Sequence, residues 1–214
     1  MNGSQRRRVA LPVLAAAAAC LLTGAGWGTD LRDVRAAMSN LTSVSADFVQ
    51  TRTLRILDGP LESKGRLRFR YPGDLRWEYF SPIRQVLLMH DGSVKRYSLQ
   101  DGRFSQTPGA WSEGARVVMR RIASWLRGSF EDDAVFKALL TNPKQPAIEL
   151  VPRDDNLKKR IKLITIHLGD LPGVIRRIVM VERDGSTTEW KFLNTHINER
   201  IPDGVFVNPG LVQP

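Results

Sequence analysis

The clearest pattern in the chain is a strict alternation of hydrophobic and polar residues in two short runs, 65–71 and 75–79, on either side of a Pro-Gly turn. Side chains of a β-strand point to opposite faces with a period of two, so each run predicts a strand with one apolar face. The apolar face carries Leu67, Phe69, Tyr71, Leu75, Trp77 and Tyr79. The opposite face carries Arg66, Arg68, Arg70 and Arg76. Paired as a hairpin, these strands form an aromatic wall, which is either the covered core of a sheet or a surface for an apolar ligand.

Similar patterns extend on both sides of this hairpin. Thr29 or Asp30 can cap a short amphipathic helix, because apolar residues recur at intervals of three and four positions after them. These residues are Leu31, Val34, Met38 and Leu41. The strand segments predicted in this half are 44–57, 86–89 and 94–99, with turns at 58–60, 91–92 and 101–102. The Asp-Gly turns favour tight hairpins and hence an antiparallel meander.

The middle of the chain changes to a helical period. Residues 115–126 place Val118, Ile122 and Trp125 or Leu126 on one stripe, which predicts an amphipathic helix. A second helix is predicted over 132–140, with its apolar side formed by Val135, Phe136, Leu139 and Leu140. Strands are predicted again at 147–151, 161–168, 174–182 and 187–197. The order of elements predicts a mainly β, α+β fold: a large curved antiparallel sheet with helices on one side.

The first 25 residues have the layout of an export signal. Arg6, Arg7 and Arg8 precede an uncharged apolar run over 9–22, and the small residues at 23–25 suit cleavage by a signal peptidase. The apolar run is shorter than the roughly 20 residues that a transmembrane helix needs. We therefore expect cleavage near residue 25 and export of the remaining chain.

Cys20, the only cysteine, lies inside this predicted signal. Lipidation of Cys20 stays open as an alternative, although Leu21 and Leu22 continue the apolar run past it and make a poor lipobox. The arginine cluster is also a loose twin-arginine match. If cleavage removes Cys20, the exported protein contains no disulfide and no cysteine nucleophile. Residues 26–214 are then long enough to form a single domain with its own core.

The predicted exported part is basic. The signal holds three of the 32 Lys and Arg residues and none of the 22 acidic residues, so its removal changes the formal charge from +10 to +7. This excess favours acidic partners or anionic membrane surfaces. Binding of nucleic acid is disfavoured by export. It is also disfavoured because the arginines and aromatic rings of a strand lie on opposite faces and cannot hold one polymer together.

No catalytic arrangement of residues is found in the sequence. His90, His167 and His196 are far apart, and there is no Gly-x-Ser-x-Gly, Walker or His-Glu-x-x-His motif. The acidic run at 131–133 is explained by the first turn of the predicted helix, where negative charge complements the helix dipole. We therefore expect a non-enzymatic protein without a metal or cofactor.

Several features follow one another in a specific order along the exported chain. They are Ser45-Ala46-Asp47-Phe48-Val49-Gln50 after the opening helix, the strand 65–70, the stretch 72–79 with its Leu-x-Trp, Ser81-Pro82, the Asp91-Gly92 turn and the terminal Phe206-Val207-Asn208-Pro209-Gly210. In this order and spacing the chain resembles the LolA family, periplasmic carriers of outer-membrane lipoproteins. The resemblance implies an incomplete antiparallel β-barrel with a helical lid that encloses an apolar cavity for acyl chains.

The resemblance also implies roles for individual residues. Cavity lining is expected from Phe48, Leu67, Phe69, Tyr71, Leu75, Trp77 and Tyr79. The lid is expected to carry Val118, Ile122, Trp125, Leu126, Val135 and Leu139. In the family, a basic residue directly before the proline of the strand turn helps to latch the lid. Here Tyr71 has that position and Arg70 lies one residue earlier, so Arg70 and Tyr71 are both candidates for the latch.

The implied function is that of a monomeric periplasmic carrier without a cofactor. It accepts acylated lipoproteins from an inner-membrane ABC exporter and delivers them to an outer-membrane acceptor. Two alternatives keep the fold: a carrier of another, anionic lipid, suggested by the basic charge and by Tyr71 at the latch position, and an envelope-stress sensor of the RseB type. A lipolytic enzyme is disfavoured because the chain lacks a nucleophile motif.

Overall fold

The computed structural model describes residues 27–107, 121–131, 134–141, 145–171 and 173–211. The strands are β1 (Ser43–Thr53), β2 (Leu61–Arg70), β3 (Asp74–Ser81), β4 (Gln85–His90), β5 (Ser93–Gln100), β6 (Arg103–Gln106), β7 (Phe136–Thr141), β8 (Ala147–Pro152), β9 (Ile161–Leu168), β10 (Ile175–Glu182) and β11 (Thr187–Ile197). The helices are α1 (Leu31–Met38), α2 (described over 121–125), α3 (Asp155–Lys158) and α4 (Gly204–Val207). The predicted export signal and Val118 lie outside the described residues. Within these ranges, no helix has the length and apolar character that a bilayer span needs.

The eleven strands form one antiparallel sheet in the order β6-β5-β4-β3-β2-β1-β11-β10-β9-β8-β7. Two meanders, β1–β6 and β7–β11, meet where the first strand pairs with the last, from Val44 opposite Ile197 to Thr53 opposite Thr187. The sheet curves but does not close, since β6 and β7 form its two edges. The predicted fold class, an incomplete antiparallel barrel in a mainly β, α+β protein, is therefore confirmed.

The tight turns of the first meander follow the local sequence. Asp91 and Gly92 have φ values of 48° and 71°, and Asp101 and Gly102 have φ values of 49° and 75°. Two successive residues with positive φ make the turn that matches the twist of a two-residue hairpin, and glycine adopts this conformation without a steric penalty. Both predicted Asp-Gly hairpins are confirmed, and the second leads into β6.

The predicted helix over 132–140 is wrong, because this segment contains strand β7. Phe136 is buried while Lys137 is exposed, and the strand pairs with β8 from Phe136 opposite Pro152 to Thr141 opposite Ala147. A short apolar run fits either a helix or a strand, and here the free edge of β8 supplies hydrogen-bond partners along its whole length. Residues 132 and 133 lie outside the described part of the chain.

The main core lies on the inner, concave face of the sheet, and α1 packs against it through Val34 and Met38. Asp30 caps this helix: its side chain accepts a hydrogen bond from the backbone N–H of Asp33, whose own side chain bonds back to the cap. The predicted capped helix is therefore confirmed. Such a reciprocal capping box satisfies two N–H groups that the first turn leaves unpaired.

The outer face of β3 and β4 is covered by the chain after β11. Ile201, Val205 and Phe206 form a small second core there. Beneath them Arg76, which is fully buried, forms an ion pair of 2.8 Å with Glu78. The Arg76 guanidinium also donates hydrogen bonds to the carbonyl oxygens of Val205, Asn208 and Pro209 at 3.2, 2.8 and 3.0 Å. A buried arginine thus holds the C-terminal segment on the sheet.

Candidate functional site

The predicted aromatic wall lies on the inner face of the sheet. Phe48, Leu67, Phe69, Leu75 and Trp77 are all buried in the main core, and Tyr79 packs against it. The pairing of β2 with β3 sets Leu67 opposite Trp77 and Phe69 opposite Leu75, so two strands contribute to one apolar surface. The ring centroids of Phe48 and Trp77 are 4.6 Å apart and the ring planes are tilted by 37°, a distance within the range of favourable aromatic contacts.

Gly65 makes this aromatic packing possible. It lies opposite Phe48 in the pairing of β1 with β2. A Cβ atom at this position would lie 2.4 Å from the ring of Phe48 and 2.1 Å from the carbonyl oxygen of Glu78. Any larger residue at position 65 would therefore displace the Phe48 ring or the β3 backbone.

Tyr71 does not belong to the wall, contrary to the expectation from alternation. Strand β2 ends at Arg70, and 58% of Tyr71 is exposed. The period of two holds only while the backbone stays extended, and the turn before Asp74 ends it. The backbone N–H of Tyr71 donates to the carbonyl of Thr42 at 2.9 Å, which fixes the turn against the start of β1.

Helix α2 covers the wall from the other side. Ile122, Trp125 and Leu126 are buried, and the rings of Trp125 and Phe136 meet edge to face with centroids 6.1 Å apart. The indole Nε1 of Trp125 is buried without a hydrogen-bond partner in the described part of the chain. Of the residues expected on the lid, Ile122 and Trp125 lie on the covering helix, and Leu126 directly follows its last helical residue.

The other expected lid residues do not lie on this helix. Leu139 is in the edge strand β7 and 43% of it is exposed, while Val135, immediately before β7, packs against the main core. The second lid helix is therefore replaced by a strand that extends the sheet. Val118 lies outside the described residues.

Between the wall and α2 is a small apolar cavity of about 20 Å³. It is lined by Val44, Ala46, Leu67, Trp77, Ile122, Trp125, Leu126, Ile175, Ile178, Phe192 and Thr195. Among these described residues, Thr195 is the one with a polar side chain. Pockets that bind small molecules have volumes of several hundred Å³, so a cavity of this size holds no long apolar chain in the described conformation.

About half of this lining comes from residues that the sequence reasoning missed. Val44 and Ala46 lie on β1, Ile175 and Ile178 on β10, and Phe192 on β11. All five are apolar residues inside predicted strands, so the alternation within those strands could have indicated that they face the core. The sequence did not indicate that β1 pairs with β11 and thereby brings both meanders around one cavity.

Arg70 does not contact the covering helix within the described residues, contrary to its expected role as a latch. Its side chain lies on the outer face, where it forms ion pairs with Asp74 and Asp203. Its guanidinium also lies over the ring of Phe206, 4.8 Å from the centroid. Hydrogen bonds to Asp74 and Asp203 raise the pKa of Arg70 above its ordinary value. Alternation along β2 explains this position, since Arg70 follows the inward Phe69.

A different arginine joins the covering helix to the wall. Arg127, directly after α2, donates a hydrogen bond of 2.9 Å to the carbonyl oxygen of Pro72 in the β2–β3 turn. Its second terminal nitrogen lies 3.4 Å from the hydroxyl of Ser124. The β2–β3 turn therefore does contact the covering segment. The arginine in this contact is Arg127, which follows the helix, and not a residue of the turn.

A polar cluster closes one end of the aromatic wall. The Tyr79 hydroxyl and the Trp190 indole both donate to the Gln50 side-chain oxygen, at 2.6 and 2.9 Å. Burial raises the pKa of Tyr79, so its hydroxyl stays protonated and remains a donor. The expected cavity residue Tyr79 therefore acts here as a hydrogen-bonded part of the core.

The described residues thus form an open antiparallel sheet with an apolar cavity under a helix. The profile of the family described as "Outer membrane lipoprotein carrier protein LolA" matches residues 39–208. Because this match spans well over half of the chain, the protein belongs to the LolA family, whose members are non-enzymatic lipoprotein carriers.

Two relatives carry the name of this family. The chain is 24% identical over 186 residues to an outer-membrane lipoprotein carrier protein of Nitrosospira multiformis, covering 87% of each chain. It is 27% identical over 196 residues to the protein of the same name from Chromobacterium violaceum, covering 91% of each chain. Among solved structures, a LolA superfamily protein from Nitrosomonas europaea matches with a TM-score of 0.47 and 9% identity, covering 84% of this chain and 98% of that chain.

Proposed function

We propose that this protein is a periplasmic carrier that holds the acyl chains of lipoproteins in the cavity between α2 and the inner wall. In this role it accepts lipoproteins from an inner-membrane ABC exporter and delivers them to an outer-membrane acceptor, with residues 1–25 as a cleaved export signal and 26–214 as one carrier domain. The observation that carries the proposal is the cavity itself, whose lining contains a single polar side chain.

The physical basis is the cost of exposing acyl chains to water. Each methylene group that is removed from water contributes roughly 0.8 kcal/mol, so a long acyl chain does not cross an aqueous compartment unassisted. When the site is closed, the apolar side chains of α2 and of the wall bury each other. Cargo replaces α2 as the partner of the wall, so the free energy of opening is recovered when acyl chains bind.

Release requires that the closed and loaded forms have similar free energies. The described connection between cover and turn is one hydrogen bond, from Arg127 to Pro72, together with apolar packing at Trp125 and Leu126. Neither contact uses a charge pair, which favours a cover that opens without a large barrier. Transfer to an acceptor then proceeds downhill in affinity and needs no nucleotide or metal in this protein.

Photocrosslinking in intact cells tests this proposal. Trp125 is replaced by p-benzoylphenylalanine, an aromatic of similar size, in the cover of the cavity. Phe104 on the edge strand β6 receives the same replacement as a matched control, because it is aromatic but does not line the cavity. We expect adducts with acylated proteins at position 125 and not at position 104. Equal labelling at both positions, or none at position 125, contradicts the proposed cavity.

The same experiment separates the second candidate, a carrier of another, anionic lipid. The formal charge of +7 after removal of the predicted signal favours this candidate. Mass spectrometry of the adduct at position 125 distinguishes a lipid-modified peptide from a free lipid. A free anionic lipid as the main adduct would support the proposed cavity but would identify a lipid, and not a lipoprotein, as the cargo.

A further inference from the structure

A polar pocket lies on the outer face of the sheet, directly behind the apolar cavity. Ala46 and Leu67 line the cavity, and their sequence neighbours on β1 and β2 line the pocket, because alternate residues point to opposite faces. The pocket has a volume of about 290 Å³, more than ten times that of the apolar cavity. Its lining consists of Ser45, Asp47, Arg66, Arg68, Asn194, His196, Glu199, Arg200, Ile201 and Pro202.

Arg68 is the unusual residue of this pocket. Only 7% of it is exposed, yet within the described ranges it has neither an ion pair nor a hydrogen bond. It lies directly opposite Arg76 in the pairing of β2 with β3. Like charges in such a position destabilise a sheet, and a buried charge without a partner costs considerably more than an exposed one. Burial, followed by the neighbouring Arg66 and Arg76, lowers the pKa of Arg68.

The nearby carboxylates are already engaged by other groups. Asp47 forms an ion pair of 2.6 Å with Arg66 and accepts a hydrogen bond of 3.1 Å from the Asn194 amide. Glu78, whose negative charge also acts on Arg68, forms an ion pair of 2.8 Å with Arg76. These contacts leave the Arg68 guanidinium without a carboxylate of its own.

The mouth of the pocket carries a second cation and three further polar side chains. Arg200 is exposed and forms no ion pair in the part of the chain that the structure describes. Glu199 is paired with His196 at 3.1 Å. Asn194 has a φ of 50° at an irregularity in the pairing of β1 with β11, which places its amide beside Asp47. Such bulges commonly redirect a side chain at a functional site.

We propose that this outer pocket binds a phosphate group, with Arg68 at its base and Arg200 at its mouth. A guanidinium presents donors in a planar fork that matches two oxygens of a phosphate, and charge-assisted hydrogen bonds of this kind are about twice as strong as neutral ones. A bound phosphate supplies the negative charge that Arg68 lacks and offsets its repulsion with Arg76. The site does not depend on the acyl-chain cavity, because the sheet separates the two.

Titration with inorganic phosphate tests this site directly. The mature chain and its variants are compared by calorimetry at constant ionic strength. We expect phosphate to bind the parent chain and to bind Arg68→Gln at least tenfold more weakly. Arg103→Gln removes the same charge from an exposed position on β6 and is expected to bind as the parent does. Binding that is absent in the parent chain, or equal in Arg68→Gln and the parent, overturns the proposal.

Arg200→Gln provides a second test of the site in case Arg68→Gln does not fold. Arg200 is exposed, so its replacement leaves the core intact, and circular dichroism verifies both folds. We expect weaker phosphate binding by several-fold. Unchanged phosphate binding in Arg200→Gln contradicts the proposed site as well, whether or not Arg68→Gln folds.

A second arm identifies the source of the phosphate. The parent chain, Arg68→Gln and Arg103→Gln are sedimented with vesicles of phosphatidylglycerol and, separately, of phosphatidylcholine. The two variants have equal net charge, so general attraction to an anionic surface affects them equally. Loss of phosphatidylglycerol binding in Arg68→Gln alone assigns the site to a lipid headgroup. Equal vesicle binding, combined with a loss of inorganic phosphate binding, assigns it to a soluble phosphate compound.

Discussion

Strands β2 and β3 have an apolar face and an arginine face, and the two faces are covered in different ways. In the described residues, the inner face meets α2 through apolar side chains, and Arg127 donates a hydrogen bond to Pro72. The outer face of β3 meets the C-terminal segment through Arg76, with three hydrogen bonds to backbone carbonyls and an ion pair to Glu78. A cover held by apolar contacts separates more easily than one held by buried charge-assisted bonds. We therefore expect the inner cover to move more readily than the outer cover.

The largest effect is expected at the outer cover. Arg76→Met removes the close partner of the buried Glu78, which keeps only the longer ion pair of 3.9 Å with Arg84, and it leaves three carbonyls without this donor. We expect a loss of about 3 kcal/mol in the free energy of unfolding. Urea denaturation measures this loss. Arg68→Met is the matched control, because Arg68 lies on the same face without an ion pair in the described residues and its replacement removes an unfavourable buried charge. We expect its free energy of unfolding to be unchanged or higher by about 1 kcal/mol.

The double variant Arg76→Met/Glu78→Leu sharpens this prediction. Replacing both members of a buried pair with apolar residues avoids the unpaired charge, so stability is expected to recover most of the loss. Equal destabilisation by Arg76→Met and Arg68→Met would contradict the difference between a paired and an unpaired arginine.

A smaller effect is expected in the inner cover. Leu126→Ala removes apolar contacts from a helix that lies over a cavity, and we expect a loss of about 2 kcal/mol, at the low end for buried leucines. Leu150 is buried on β8 and does not line the cavity, so Leu150→Ala is the matched control and is expected to cost more. Cargo release, followed by crosslinking at position 125, should accelerate only in Leu126→Ala. Faster release in both variants would indicate a general loss of stability.

The contact between cover and turn gives the next smaller effect. Arg127→Gln removes the hydrogen bond to Pro72, which contributes about 1 kcal/mol or less at a partly exposed site. We expect faster hydrogen exchange over 121–127. Arg70→Gln disrupts only contacts on the outer face, so exchange over 121–127 should remain at the parent rate. A larger increase in Arg70→Gln than in Arg127→Gln would restore Arg70 as the latch.

The smallest effect concerns titration on the outer face of the second meander. His167 on β9 lies beside Arg177, with 2.9 Å between the two side chains, and Glu189 pairs with that arginine. Burial, then the charges of Arg177 and Arg176, lowers the pKa of His167 below 6.5. In the window below pH 6.5 the unfolded chain binds more protons than the folded one, so stability is complete above this pH and decreases as the pH falls through the window. His167→Gln should flatten the stability profile between pH 7.5 and 5.5, and an unchanged slope would exclude His167.

The sequence alone determined the local features of this protein. The alternation in 65–79 separated the inward Leu67 and Trp77 from the outward Arg68 and Arg76, and the Asp-Gly pairs specified the hairpin turns. These features depend on side-chain direction and on backbone conformations that neighbouring residues set, so they can be predicted from short segments. The aromatic wall and the covering segment with Ile122, Trp125 and Leu126 could be predicted from the sequence for the same reason.

Only the tertiary structure decided how these segments meet. The pairing of β1 with β11 joins residues far apart in the chain and brings Ile178 and Phe192 to the same cavity as Leu67. The free edge of β8 made 136–141 a strand rather than part of a helix. The C-terminal segment supplies Asp203 as a partner for the outward Arg70, and the chain after α2 places Arg127 beside the β2–β3 turn. Each outcome depends on partners that are distant in sequence, and no local pattern encodes the register that brings them together.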